Sequence, residues 1–316
     1  MTNLLRAHLF LLLVNIIYGA NYIIAKGLML DKIGPSGFIL LRVSGAVLLF
    51  WLLLFFLYKY RNSNAGDKNP GNSVFIKRSD LPRLILCGVT GVAVNQLCFF
   101  NGLNLTSPIN SAIIMTSNPI LVLLISVFFM KEAVNKWRLA GVVAGAVGAI
   151  SLIQLSKADV AGISSMEGDL LILLNSASYA VYLVLVKPLM QRYHPVTVIA
   201  WVFLFGFMIV MPFGWQQLWN VDWSGLSNWE WFAVFYVVIA TTFLAYLLNI
   251  TALKFVPATV ASSYIYIQPV LAGVFAWIFS FYIQEDYTAD ISVLKVLCAL
   301  LIFVGVYLVS KPVVKV

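Results

Sequence analysis

Leu103–Pro119 reads LNLTSPINSAIIMTSNP, and Leu253–Pro269 reads LKFVPATVASSYIYIQP, so the two stretches align without a gap at an offset of 150. Each starts on a leucine at the end of an apolar run and passes through small polar residues. Each closes on an amide followed by proline, Asn118-Pro119 and Gln268-Pro269. An apolar run and then a glutamate follow both, Glu132 and Glu285, with three extra residues in the second copy. Near the start of each half an offset of 161 pairs Tyr18 with Tyr179 and Lys26 with Lys187. The chain therefore reads as two copies of one unit.

The setting of that duplication is lipid. Of 316 residues 62% are hydrophobic and 10% charged, and mean hydropathy is +0.95. Soluble domains carry about 25% charged residues. A chain in a bilayer must satisfy its backbone internally, as helices or a closed barrel. The apolar runs are long and unbroken rather than short and alternating, which selects helices. With roughly 20 residues per crossing, ten runs emerge at about 7–26, 36–58, 82–103, 108–129, 136–155, 168–188, 195–215, 230–250, 256–283 and 291–311. The expected fold class is an all-α membrane protein of ten transmembrane helices in two five-helix repeats, residues 1–158 and 159–316. An odd number of spans per copy turns the second upside down relative to the first.

Charge supports the same topology. With the N-terminus in the cytoplasm, Lys26, Lys32, Lys157 and Lys295 fall outside and Arg42 falls within a helix; the rest of the 20 Lys and Arg are cytoplasmic. That asymmetry predicts N-in and C-in in the plasma membrane. Residues 59–80 read as a cytoplasmic loop. The tryptophan-rich stretch 215–231 reads as an outer loop at the headgroup level. The first apolar run lacks a small-residue cleavage site and reads as a retained helix.

Several chemistries are disfavoured. The pI near 9.3 comes from basic residues spread between apolar runs rather than gathered in a patch, so no nucleic-acid partner is expected. Cys87, Cys98 and Cys298 lie inside apolar runs and read as packing residues. His8 and His194 are the only histidines, no phosphate-cradling Gly–Lys motif occurs, and neither a metal nor a cofactor is expected.

NIIYGANYIIAK at 15–26, the LLR of LLRVSGAVLLF at 40–50, and the paired segments SNPILVLLISVFFMKE and IQPVLAGVFAWIFSFYIQE together resemble the EamA family of the drug/metabolite transporter superfamily. The resemblance covers roughly 8–310. It implies a ten-helix inverted-repeat carrier with a central cavity, often an exporter of amino acids or related metabolites.

Polar side chains within a span are costly and face a cavity or a partner. Helical spacing places Asn15, Tyr18, Tyr22 and Lys26 on one stripe, Asn175, Ser178, Tyr179 and Tyr182 on another, and Thr242, Tyr246 and Asn249 on a third. Ser262 and Tyr266 stand one turn apart, and Asn95, Gln96, Asn110, Ser117 and Asn118 add amides and a hydroxyl. These groups read either as the lining of a wet central cavity that binds substrate or as hydrogen-bonding glue between helices. Arg42, about 10 Å from its helix start at 1.5 Å per residue, either snorkels to water or holds an anionic group. Lys26 and Lys187 read as interfacial anchors. Asp169, Glu167 and Glu230 read as helix-end charges, so no carboxylate proton relay is expected, with Glu132 and Glu285 the fallback for ion coupling. Pro119 and Pro269 read as kinks that hinge a gate or simply curve a helix. Gly141, Gly145 and Gly148 form a close-packing face, internal or at a homodimer interface.

Inverted duplication favours a secondary transporter, because two equivalent packings open the centre to alternate sides. The partners are then a small-molecule solute and the lipid bilayer. An amino-acid-like solute and export are favoured; a sugar-conjugate or nucleotide-sugar carrier would want several cavity cations. A membrane-embedded lipid-modifying enzyme would want clustered His, Asp or Glu, which the spans lack.

Overall fold

Serine and proline set the helix starts in the computed structural model, which describes residues 3–63, 73, 75–130, 136–157, 164–279 and 292–309. In chain order the helices are α1 (Asn3–Asp31), α2 (Pro35–Ser63), α3 (Arg78–Leu105), α4 (Pro108–Met115, then Asn118–Met130), α5 (Lys136–Lys157), α6 (Met166–Arg192), α7 (Pro195–Trp219), α8 (Asn228–Ala252), α9 (Ala258–Ser263, then Gln268–Phe279) and α10 (Val293–Val309). Ser107 caps α4, accepting from the Asn110 N–H at 3.0 Å with Pro108 next in line. Ser165 caps α6, and Ser227 with Glu230 forms a reciprocal capping box on α8. Each such cap stabilises a helix start by about 1 kcal/mol.

Eight of these stretches are long and apolar enough to cross a bilayer; α5 and α10 carry shorter apolar stretches, Leu139–Leu155 and Val293–Gly305. Large apolar side chains such as Leu48, Phe128, Phe213 and Val293 project outward. A soluble monomer does not expose apolar surface on that scale.

The packing has the symmetry of the duplication. α2 lies against α7, and α5 against α10. Phe50 and Trp51 meet Phe203 and Trp201 at one end of the α2–α7 pair, while the Gly37 N–H donates to Gln217 Oε1 at the other, 3.0 Å. Corresponding helices thus run antiparallel, so the two halves are inverted. In the α5–α10 seam a methyl group on Gly305 would stand 2.6 Å from Gly141 O, and one on Gly148 2.9 Å from Cys298 O. The glycine stripe of α5 is therefore an internal packing face. α3 packs on α6, and its counterpart α8 packs on α1.

The fold departs from the expected one at three kinds of place. First, the prolines do not kink continuous helices. The span of α4 breaks at Thr116–Ser117, and α9 passes through a 3₁₀ turn at Tyr264–Ile267, so Pro119 and Pro269 sit in the first turn of a new helix. Proline lacks the N–H that such a turn leaves unpaired anyway. Second, α3 and α8 carry π-helical turns at Val89–Ala93 and Tyr236–Leu244, and the offset of 150 carries the first into the second. Third, the loop within the tryptophan-rich stretch is confined to 220–227: α7 runs through Trp219, and α8 starts before Trp229. Glu132, Glu285 and residues 64–72 and 74 of the expected loop 59–80 lie outside the described residues, and α2 continues through Ser63 into that loop.

Candidate functional site

A cavity of about 80 Å³ lies among α1, α2, α3, α4, α6, α8 and α9. A water needs roughly 10–15 Å³ on this measure, so about six water-sized spheres fit. The polar stripes read from the sequence converge on it. Asn15, Tyr18 and Tyr22 enter from α1, Arg42 from α2, Asn95 and Gln96 from α3, Asn175 and Tyr179 from α6, and Tyr246 and Asn249 from α8. Val14, Phe99, Phe100, Met115, Ala261 and Ile265 form its apolar walls.

Four expected residues are elsewhere. Asn110 is fully buried and donates to the carboxylate of Asp169 at 3.1 Å. Tyr182 lies behind the cavity, its ring against the α3 backbone at Gly91. Ser262 and Tyr266 do not line it, and the Tyr266 ring packs edge-on against Phe303.

Asn21, Thr241 and Gln268 line the cavity but stood outside the expected set. Gln268 carried a sequence signal, being the duplicated amide before proline. Its Nε2 donates to Asn15 Oδ1 (2.7 Å), and its Oε1 accepts from Tyr22 OH (2.8 Å). The corresponding Asn118 donates to Ser176 O at 2.8 Å. Each amide thus reaches across to the first helix of the other half. Asn21 stands three residues after Tyr18, a helical spacing that places it beside the α1 stripe and is the signal that marks it.

Two of the inner polar bonds, Gln96–Tyr246 and Asn175–Asn95, cross between the halves, and a third, Asn249–Tyr179, lies within the second. Gln96 and Tyr246, equivalent under the offset of 150, contact each other, Gln96 Nε2 donating to Tyr246 OH. Asn249 Nδ2 donates to Tyr179 OH, and Asn175 Nδ2 to Asn95 O at 2.8 Å. The pseudo-twofold axis therefore runs through the cavity.

Arg42 is 2% exposed, so it does not snorkel. Its Nε donates to Thr242 Oγ1 at 2.8 Å, and its guanidinium carbon stands 4.4 Å from the Phe100 ring centroid. Among the described residues its Nη1 has no hydrogen-bond partner, and no residue lining the cavity is acidic. Three amide oxygens of the same cavity, on Asn21, Gln96 and Asn175, are also buried and unpartnered. Burying a cation without a counter-charge, or an amide oxygen without a donor, costs free energy. The centre is thus built with one cationic donor and several neutral acceptors left to be satisfied.

Lys26 and Lys187 act as helix caps. Lys26 is 6% exposed and donates to Leu103 O, Asn104 O and Thr106 O at 2.9, 3.2 and 2.6 Å, closing the C-terminus of α3. Lys187 donates to Leu253 O and Val256 O, at 2.6 Å for the latter, closing α8. Each lysine caps unpaired carbonyls at the negative end of a helix. Asp169 is likewise more than a helix-end charge: it is fully buried, and Thr106 Oγ1 donates to it at 2.6 Å.

Two inverted halves enclosing a polar cavity in an apolar bundle define a class of membrane transporter. The chain belongs to the EamA-like transporter family, whose model matches it twice, over residues 5–154 and 166–311. It is similar to an uncharacterized transporter of Bacillus subtilis, YetK, at 25% identity over 62% of this chain and 60% of the relative; the match thus spans under two thirds of that relative's length. A second B. subtilis uncharacterized transporter, YyaM, is 26% identical over 74% of this chain and 76% of its own. An uncharacterized transporter of Archaeoglobus fulgidus is 24% identical over 86% and 88%. A solved crystal structure shares the fold with a TM-score of 0.60, covering 98% of this chain and 96% of the other at 16% identity.

Proposed function

We propose that the protein is a secondary transporter that moves a small zwitterionic, amino-acid-like solute across the plasma membrane by alternating access, in the direction of export. The reading takes all ten helices as spans, with both termini in the cytoplasm and each half, 1–158 and 159–316, as one repeat. The carrying observation is the central cavity, where Arg42 offers an unspent cationic donor and Asn21, Gln96 and Asn175 offer unspent oxygens. A carboxylate pairs with the guanidinium in a charge-assisted hydrogen bond. An ammonium or other N–H donor meets the amide oxygens, and the Phe99, Phe100 and Met115 wall takes the apolar body.

A sugar-conjugate or nucleotide-sugar substrate fits less well, since its phosphates call for several cations and the lining residues include one. The residues proposed to bind are Asn15, Tyr18, Tyr22, Arg42, Asn95, Gln96, Asn175, Tyr179, Tyr246 and Asn249. Reconstitution into liposomes preloaded with a panel of metabolites tests the assignment. Zwitterionic solutes with apolar side chains are expected to exchange, and exclusive exchange of phosphorylated or purely cationic solutes would overturn it. Tyr22→Ala combined with Tyr179→Ala is expected to abolish exchange, because it removes one hydroxyl from each half of the cavity.

A further inference from the structure

Two contacts far from the cavity are related by the duplication, and they differ in strength. Asp80 stands at the start of α3. Its carboxylate accepts from Tyr193 OH at 2.7 Å and from Arg192 Nη1 at 2.9 and 3.2 Å, at the end of α6. The offset of 150 carries Asp80 to Glu230 at the start of α8, and the offset of 161 carries Lys32 at the end of α1 to Tyr193. Lys32 and Glu230 also form an ion pair, but at 3.5 Å and with side chains 40% and 18% exposed. The other oxygen of Glu230 is held by the Ser227 N–H at 2.6 Å in the capping box. Each contact thus ties the start of the third helix of one half to the end of the first helix of the other. Because the halves are antiparallel, the two contacts lie at opposite ends of the bundle.

The seams between them differ in the same sense. Below Asp80, α3 and α6 are joined by Ser178 Oγ donating to Thr90 O at 2.6 Å and by the Asn175–Asn95 bond. Gly102 and Gly168 bring the two backbones together farther along. In the counterpart seam the position of Gly102 is Ala252 and that of Gly91 is Thr241, so side chains stand where the first seam has glycines. Tyr236 OH donating to Ile17 O at 2.9 Å joins that seam.

We propose that Asp80–Arg192–Tyr193 and Glu230–Lys32 are the two alternating latches of one transport cycle, an inference that rests on the carrier reading above. In this conformation the Asp80 latch is fastened and the Glu230 latch is slack. The other conformation exchanges the two halves, so that Glu230 is fastened and Asp80 released. A half-exposed ion pair at 3.5 Å yields readily, whereas a buried carboxylate with several donors does not. Breaking one latch therefore biases the cavity to open at that latch's own face.

The test needs no substrate. In a background with Cys87, Cys98 and Cys298 replaced by Ser, Ala261→Cys reports on the cavity through its labelling rate with a membrane-impermeant maleimide. The reagent is applied to either face of oriented vesicles, and separate Phe75→Cys and Ser224→Cys proteins identify the faces. Asp80→Asn is expected to raise labelling several-fold from the Phe75 face and lower it from the other. Arg192→Gln, which removes the more exposed partner, does the same if Asp80→Asn fails to fold. Glu230→Gln, which keeps the capping box, and Lys32→Gln shift labelling the opposite way. Labelling whose sidedness none of the four variants changes would overturn the latches and leave the carrier reading standing. A reporter labelled from neither face in the parent protein would overturn the carrier reading, and the latches with it.

Discussion

Arg42 holds a full positive charge between Phe100 and Thr242 with one nitrogen bonded and another unspent. An uncompensated buried charge detracts from stability, and replacing it with a neutral group of similar size is neutral or favourable. Arg42→Gln is therefore expected to leave the melting temperature unchanged or raised while lowering exchange of a carboxylate solute at least about tenfold, the loss of about 1.4 kcal/mol of binding expected for a charge-assisted bond. A lowered melting temperature with full exchange would assign Arg42 to packing. Much of this scale was legible in the sequence, since Tyr18, Tyr22 and Tyr179 announce themselves by spacing on apolar helices. Asn110 and Asp169 were not, because their pairing joins residues 59 apart that no periodicity links. Asn21 was legible by the same rule, since it stands three residues after Tyr18.

Two helices of this fold are finished by lysines. Lys26 and Lys187 occupy equivalent places and cap the equivalent ends of α3 and α8. Each removes unpaired carbonyls from an apolar setting, where an orphaned polar group costs about 1–3 kcal/mol. Lys26→Met and Lys187→Met are thus each expected to destabilise the protein by about that amount, measured as a fall in thermal melting in detergent. A surface-anchor role would leave both melting temperatures unchanged. The sequence paired these lysines through the offset of 161 but not their partners, because a capping partner is a tertiary fact. The breaks before Pro119 and Pro269 were half legible: the duplicated amide–proline marks the spot, while proline alone does not distinguish a kink from a fresh helix start. The π-helical turns of α3 and α8 left no local mark, since Val89–Ala93 and the residues at the offset of 150, 239–243, are identical at no position.

The whole molecule is two antiparallel copies around a shared polar axis, and this was the most legible scale of all. One gapless pair of 17-residue segments carried the duplication, and an odd span count carried the inversion. Loop charge further predicts that Phe75→Cys and Ser224→Cys are labelled from opposite faces, Phe75 from the cytoplasm; labelling from one common face would refute the inverted ten-span topology. The cavity's preference for a zwitterion is the claim on which the transport reading turns. It is tested most directly by counterflow in liposomes with a matched pair of solutes, an apolar amino acid and the amine left by its decarboxylation. The amino acid is expected to exchange and the amine not, with the difference erased by Arg42→Gln. Equal exchange of both solutes by the unaltered protein would contradict the account.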